Sequence, residues 1–321
     1  MNRAMAIGTS LAVLSAATFA TSGSFATALM STGWTPGAAV TARIGVAALV
    51  LTVPAVIQLR GRWATLRRGL PAVMLYGLFA IVGAQLCFFE AVEHLSVGVA
   101  LLLEYSGTLL VVAWMWARHG QVPRRLTVVG GVLALGGLVL VLDLFDGTQH
   151  VDPVGVLWGL GAATGLAVYF VISARVEDES VPPVAMAWAA MVVATLGLAL
   201  AGAVRIVPFT MATSDVVLAG HSVSWIVPVL GMSVVAAVVA YTSGIGAARR
   251  LGARPASFLG LGEVLFAILF AWLLLGQQPT ALQAVGGVIV LAGIALVRAD
   301  TGEPASPEVT SDEPEELEAA A

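Results

Sequence analysis

Lysine is absent from this 321-residue chain, and all 15 cationic side chains are arginine. Only 11% of the residues are charged, against about 25% in a soluble globular domain. A protein of this size cannot cover a water-facing surface with so few charges. The missing lysine also has chemical consequences. It excludes a Walker A phosphate loop, and with it an ATP-driven pump subunit of that kind. It excludes a Schiff base to retinal or pyridoxal phosphate. Cys87 is the single cysteine, so no internal disulfide can form. His-Glu-x-x-His and Gly-x-Ser-x-Gly do not occur, so no motif asks for a metal, a cofactor or a catalytic serine. Nothing points to nucleic acid either.

What the chain has is apolar length. Hydrophobic residues make up 59% of it, and mean hydropathy is +0.96. A membrane span needs about 20 apolar residues. Apolar runs read against breakers predict ten helices, near 5–29, 37–58, 70–90, 96–117, 126–143, 154–174, 184–204, 222–246, 254–275 and 281–298. The first run follows Arg3 and has small residues near Ala28, as a secretory signal would. It is long for a signal, however, and opens a chain that never turns soluble. The expected class is an all-α membrane protein in contact with lipid. From Asp300 to Ala321 there are eight acidic residues, three prolines and no arginine. That stretch is expected to be a disordered, solvated tail.

Arginine placement predicts the orientation. Arg60, Arg62, Arg67 and Arg68 follow span 2, Arg118, Arg124 and Arg125 follow span 4, and Arg249, Arg250 and Arg254 follow span 8. Arg3, Arg175 and Arg298 fall on the same side, and Arg205 stands alone on the other. Both termini are therefore expected in the cytoplasm, with the chain in the inner or plasma membrane. His94, His150, His221, Asp143, Asp146, Asp152 and Asp215 then lie in outer loops.

The chain also repeats itself. Residues 91–142 align with 247–298 without a gap, pairing Trp116 with Trp272, Gly120-Gln121 with Gly276-Gln277, Pro123 with Pro279, and Gly130, Gly131 and Gly137 with Gly286, Gly287 and Gly293. Five spans per copy is an odd number, so the second copy enters the membrane upside down. The expected fold is ten transmembrane helices as two inverted five-helix repeats, over 1–147 and 148–299, followed by the tail at 300–321. Inverted repeats are a signature of secondary transporters, with the substrate site between the halves near midplane.

This arrangement resembles the EamA family of the drug/metabolite transporter superfamily. The resemblance is carried by Arg43 in span 2, Leu-Leu-Glu-Tyr-Ser-Gly over 102–107, Gly262-Glu263, Phe-Ala-Trp-Leu-Leu-Leu-Gly-Gln up to Gln277, and Asp152-Pro153-x-Gly155. It covers about residues 5–298. The Leu-Glu-Tyr-Ser-Gly run is similar to the corresponding part of the bacterial threonine/homoserine exporter branch. The resemblance implies secondary transport of small metabolites, often export of amino acids or related compounds. Val264 and Thr108 stand where family members commonly carry proline, which implies straighter middles for spans 9 and 4.

Charged groups inside a bilayer cost a few kcal/mol each and mark function or a structural pair. Arg43, Glu104 and Glu263 are the clear cases. Arg43 and Glu104 agree in depth to about one turn, which allows a salt bridge or joint capture of a zwitterion. Glu263 aligns with Gly107, nearly one turn from Glu104, so the two acids are expected on near-equivalent faces. Desolvation and a like charge both disfavour ionised carboxylates, which is the chemistry a proton-coupled carrier uses. Tyr76, Tyr105, Trp158, Tyr169, Trp188 and Tyr241 could line a path, or simply anchor helices. Trp63, Trp114 and Trp116, with Trp34 and Trp225 at the other face, are read as interfacial. Gly155 with Gly159, Gly161 with Gly165, Gly130 with Gly137 and Gly286 with Gly293 are read as close-packing faces. The last two pairs could also serve a homodimer in place of a monomer.

The reading is a non-enzymatic, gradient-driven carrier of a small-molecule substrate, an amino-acid exporter coupled to protons. The alternatives are an importer, an uncoupled exchanger, a channel, or a membrane scaffold. A scaffold would have little use for Arg43, Glu104 and Glu263 together.

Overall fold

The structure is a computed structural model, and it describes residues 3–95, 97–142, 152–174, 181–276 and 278–301. Asp143, Asp146, His150, Arg175 and Gln277, and the acidic stretch beyond 301, lie outside the described residues.

Helices dominate. In chain order they are α1 (Arg3–Met30), α2 (Pro36–Gln58), α3 (residues 70–94), α4 (Val97–Tyr105 and Gly107–His119), α5 (Arg125–Val141) and α6 (Pro153–Ser173). They continue with α7 (Pro183–Ala203), α8 (residues 226–251), α9 (Ala253–Gly260 and Gly262–Leu275) and α10 (Ala281–Thr301). Among the described residues eight of these are long and apolar enough to cross a membrane, while α5 and the apolar part of α10 are shorter. The chain is a multi-pass membrane protein. Leu49, Val53, Leu157, Val288 and Val132 are exposed at 67% or more, an arrangement that only lipid can cover.

Local chemistry places the helix ends. Pro36, Pro153 and Pro183 occupy first turns, where the missing N–H costs nothing. Asp152 caps α6, accepting from the Val154 N–H at 2.8 Å. Gly120 and Gly276, with φ of 64° and 73°, close α4 and α9 in the left-handed conformation that glycine adopts freely.

Three expectations change. The eighth helix begins at Ile226, not 222, and runs on to Leu251. Val216–Leu218 and His221–Val223 form an antiparallel hairpin instead. It turns on Ala219 and Gly220, both at positive φ. The Ala219 N–H donates to Leu274 O at the end of α9. Second, α3 and α8 are not regular helices. Tyr76–Gly83 and Gly231–Val239 are π-helical, and such segments cluster at functional sites. Third, α4 and α9 are interrupted in mid-course at Ser106 and Leu261, with no proline at either break. Both residues sit at φ near −60° and ψ near −20°, a local tightening toward a 3₁₀ turn.

Glycine governs the closest packing. A Cβ at Gly137 would lie 2.8 Å from Gly286 O, and one at Gly293 would lie 2.5 Å from Gly130 O. So the glycine faces of α5 and α10 meet each other within one chain, and those faces are not free to form a dimer. The α6 glycines serve the same end, with Gly159 receiving Leu103 and Gly165 receiving Ala84. The ends of the bundle are tied by side-chain to backbone bonds. At one end Thr35 donates to Pro208 O and Trp34 to Ala212 O. At the other, Arg254 donates to Gln121 O and Arg249 to Val181 O. Trp34 is buried at 4% exposure, so it is a structural donor, not an interfacial anchor.

Candidate functional site

A cavity of about 440 Å³ lies between α1, α2, α3, α4, α6, α8 and α9. Its volume falls at the small end of ligand pockets, about 300–1,000 Å³. It reaches from Ala256 and Ala247 near one end of the bundle to Met30 and Pro36 near the other. Exposed Gly23 and Thr27 of α1 form part of its wall.

The three buried charges converge on this cavity. Arg43 comes from α2, Glu104 from α4 and Glu263 from α9. Tyr105, Tyr169 and Tyr241 line it as well. Each is positioned by a specific feature. Glu104 and Tyr105 sit just before the interruption at Ser106, where the Ser106 hydroxyl donates to Leu103 O. Gly107, one residue on, abuts the Ala163 carbonyl of α6 so closely that no side chain would fit. Glu263 follows the matching interruption at Leu261. Tyr169 is held because Gly244 of α8 has no side chain, leaving the space taken by the tyrosine hydroxyl.

Arg43 does not pair with Glu104 as its depth suggested. Its guanidinium donates to Ala236 O at 2.5 Å, a carbonyl within the π-helical segment of α8. The guanidinium carbon lies 5.8 Å from the centre of the Phe19 ring, within cation–π range. Of the two acids, the one Arg43 interacts with electrostatically is Glu263. Glu104 and Glu263 interact with each other as like charges, and the Tyr105 hydroxyl stands within hydrogen-bonding reach of Glu263. The direct Arg43–Glu104 salt bridge that the depths allowed is not formed, because the guanidinium is held by Ala236 O.

The other expected aromatics divide. Tyr76 is fully buried behind the cavity, its ring 5.7 Å from that of Tyr169, and its hydroxyl accepts from Ser173 at 3.3 Å. Trp188 of α7 donates to Thr52 at 3.1 Å and ties α7 to α2. Trp158 is 39% exposed on the outer side of α6 and does not line the cavity. Trp158 and Tyr169 are eleven positions apart on α6, about three full turns, so they share a face and are separated by about 16 Å along the helix axis; Trp158 lies beyond the cavity.

Some wall residues escaped the sequence reading. Ser15 and Phe19 of α1 stand one turn apart on the cavity face, and Ser15 donates to Ala240 O at 2.8 Å. Phe19 packs edge-on against Tyr241 at 4.8 Å and against Tyr169 at 6.3 Å. Gln85 of α3 also reaches the cavity. Its signal was available, since an amide inside an apolar run needs a reason just as a charge does.

Comparison with known proteins agrees with this geometry. The model of the EamA-like transporter family matches residues 6–143 and again 153–299. The threonine/homoserine exporter RhtA of Salmonella typhimurium (strain LT2) is 29% identical over 234 residues, 72% of this chain and 70% of that protein. The uncharacterized inner membrane transporter YicL of the same organism is 21% identical over 228 residues, 70% of this chain and 72% of that protein. A crystal structure described only as that of a protein superposes with a TM-score of 0.71 at 19% identity, covering 94% of this chain and 99% of that one. Its likeness speaks to the fold. With the family model matched twice over nearly the whole helical bundle, and buried charges gathered in one cavity, the chain belongs to the EamA-like transporter family of the drug/metabolite transporter superfamily, whose members carry small metabolites across membranes and are not enzymes.

Proposed function

We propose that the protein is a proton-coupled secondary exporter of amino acids or closely related small metabolites. In this reading its ten helices form two inverted five-helix repeats, 1–147 and 148–299, with both termini in the cytoplasm. The observation that carries it is the meeting of Arg43, Glu104 and Glu263, drawn from both halves of the chain, on one cavity wall. Substrate sites of inverted-repeat carriers lie between the halves. The recurrence of π-helical turns in α3 and α8, and of mid-helix interruptions in α4 and α9, supports a matched pair of halves that rock about the site.

Proton coupling follows from the chemistry of Glu263. A carboxylate in an apolar cavity takes up a proton more readily as its surroundings dry. Alternating access changes that wetness, and so ties protonation to the state of the carrier. Export is favoured over import by the naming of the RhtA relatives. The test is efflux of labelled amino acids from cells overexpressing the protein. Faster efflux than in control cells, abolished by collapsing the proton gradient, is expected. Faster uptake would reverse the direction, and efflux indifferent to the gradient would leave an uncoupled exchanger. Current through a bilayer without saturation would make it a channel.

A further inference from the structure

A second pocket lies away from the cavity, at the arginine-rich end of the bundle, where α1, the start of α9 and α10 meet. Met5 and Thr9 of α1, Pro255 and Leu259 of α9 and Ile294 of α10 line it, together with Arg250 from the end of α8. Its volume is about 70 Å³, far below the roughly 300–1,000 Å³ of pockets that enclose a small molecule. It can hold only part of a longer chain whose remainder lies outside. No acidic side chain lines it, and the turn from α8 to α9 carries Arg249, Arg250 and Arg254 without an acid. Arg250 is exposed. Its Nη1 donates to Gly246 O at 2.8 Å, and its remaining N–H groups have no acceptor among the described residues. Gly8 lets α1 lie against the base of this side chain, since a Cβ there would stand 3.0 Å from Arg250 Cβ and 2.9 Å from Leu251 Cγ. A guanidinium with open donors thus stands beside an apolar pocket at a membrane-spanning bundle's edge.

We propose that this pocket is the seat of an anionic phospholipid, its phosphate on Arg250 and one acyl chain across Pro255, Leu259 and Ile294. Arginine suits a phosphate because several N–H groups can reach its oxygens at once. Basic pockets between helices at the cytoplasmic side select acidic headgroups in this way, and the orientation proposed above puts this end there. A second copy of the chain would have to bring an acid to Arg250, whereas a lipid carries its own and surrounds every copy. A zwitterionic lipid also carries phosphate, but its ammonium offsets the pull of the three arginines. The seat lies beside the central cavity. Ala256, Ser257 and Gly260, on the opposite face of the same α9 segment, form part of the cavity wall. A chain packed on Pro255 and Leu259 therefore buttresses that wall from outside.

The experiment is native mass spectrometry of the full chain in detergent, titrated with phosphatidylglycerol or with phosphatidylcholine of the same acyl chains. The expected result is a bound phosphatidylglycerol held at least about fivefold more tightly than phosphatidylcholine, the effect of one arginine near a lipid surface. Arg250→Gln should remove that preference. The side chain is exposed, so the variant should fold with an unchanged melting temperature. Arg62→Gln, at another exposed arginine of the same end, should keep the preference. Equal affinity of the wild type for both lipids overturns the seat. Equal loss from Arg62→Gln and Arg250→Gln overturns it too, since the attraction would then be general surface charge. A preference that emerges only when residues 302–321 are removed would give Arg250 to the acidic stretch of the chain. A dimer that Arg250→Gln turns into a monomer would give it to a second copy. Either result overturns the lipid seat, and all of them leave the transport reading untouched.

Discussion

Arg43 on α2 and Ala236 on α8 are separated by 193 positions and joined by a guanidinium-to-carbonyl hydrogen bond of 2.5 Å. The carbonyl belongs to a π-helical segment, Gly231–Val239, whose wider turn shifts backbone groups out of the ordinary ladder. Ser15 of α1 uses Ala240 O, just beyond the same segment. Two helices of the first half are therefore fastened to backbone oxygens of the second half at the level of the cavity. An arginine held in this way faces the cavity with a backbone carbonyl, not an acid, as its hydrogen-bond partner.

Glu263→Gln keeps the shape of the side chain and removes its titration. The variant is expected to reach the membrane, to retain counterflow of substrate, and to lose uphill export together with its pH dependence. Glu104→Gln should be milder, because Arg43 interacts with Glu263 and not with Glu104. Uphill export by Glu263→Gln with the wild-type pH profile would show that the proton uses another route.

Orientation can be read with a thiol reagent. With Cys87 replaced by serine, Ser222→Cys in the exposed hairpin should react in intact cells with an impermeant maleimide. Arg62→Cys, at the arginine-rich end, should react only after the cells are opened. The reverse pattern would place both termini outside.

Gly137→Ala should destabilise the bundle by about 1–3 kcal/mol. Its Cβ would stand 2.7 Å from Val290 N and 2.8 Å from Gly286 O, both backbone atoms of α10. Gly136→Ala, at a position with open space around it, is the control and should be neutral or slightly stabilising, as expected for alanine in a helix. Thermal unfolding of the purified variants measures both. Equal midpoints for the two would mean that α5 and α10 separate easily and that their close approach contributes little.

Gly244→Ala tests the seat of Tyr169. A methyl group there would collide with the Tyr169 hydroxyl and approach Ser15 Oγ to 2.7 Å, so the tyrosine must swing into the cavity. Transport should fall through a rise in KM, because the displaced ring takes up cavity volume. The melting temperature should change by only a few degrees. Unchanged KM with normal expression would mean that Tyr169 yields without entering the substrate space.

Much of the site could be read from the residues because a bilayer charges so heavily for polarity. Arg43, Glu104 and Glu263 stood out against the apolar runs around them, and all three reached one cavity. Tyr105, Tyr169 and Tyr241 joined them, while Trp158 did not. Aromatic residues are at home both in a cavity and against lipid, so their identity alone does not choose between the two. The repeat was legible in Gly-Gln-x-Pro and in the spaced glycines, because turn and close-packing positions tolerate few substitutes. The hairpin at residues 216–223 was not, since three-residue strands leave no periodicity to detect.

Composition and pattern by themselves determined that the chain lives in lipid, that it is helical, that it is duplicated, and which side chains are too costly to be accidental. Those conclusions depend on solvent cost and on local backbone geometry, which each short stretch carries with it. Tertiary structure decided the pairings. Arg43 turned to Ala236 O and toward Glu263, not to Glu104, because the packing of α2 on α8 brings a backbone carbonyl of the π-helical turn within reach where depth along a helix suggested an acid. The glycines of α5 and α10 found each other within the chain, and Tyr169 took the room that Gly244 leaves. Rotation of each helix about its axis, and the choice among neighbours of similar depth, are set by contacts between residues far apart in the chain, and no local pattern encodes them.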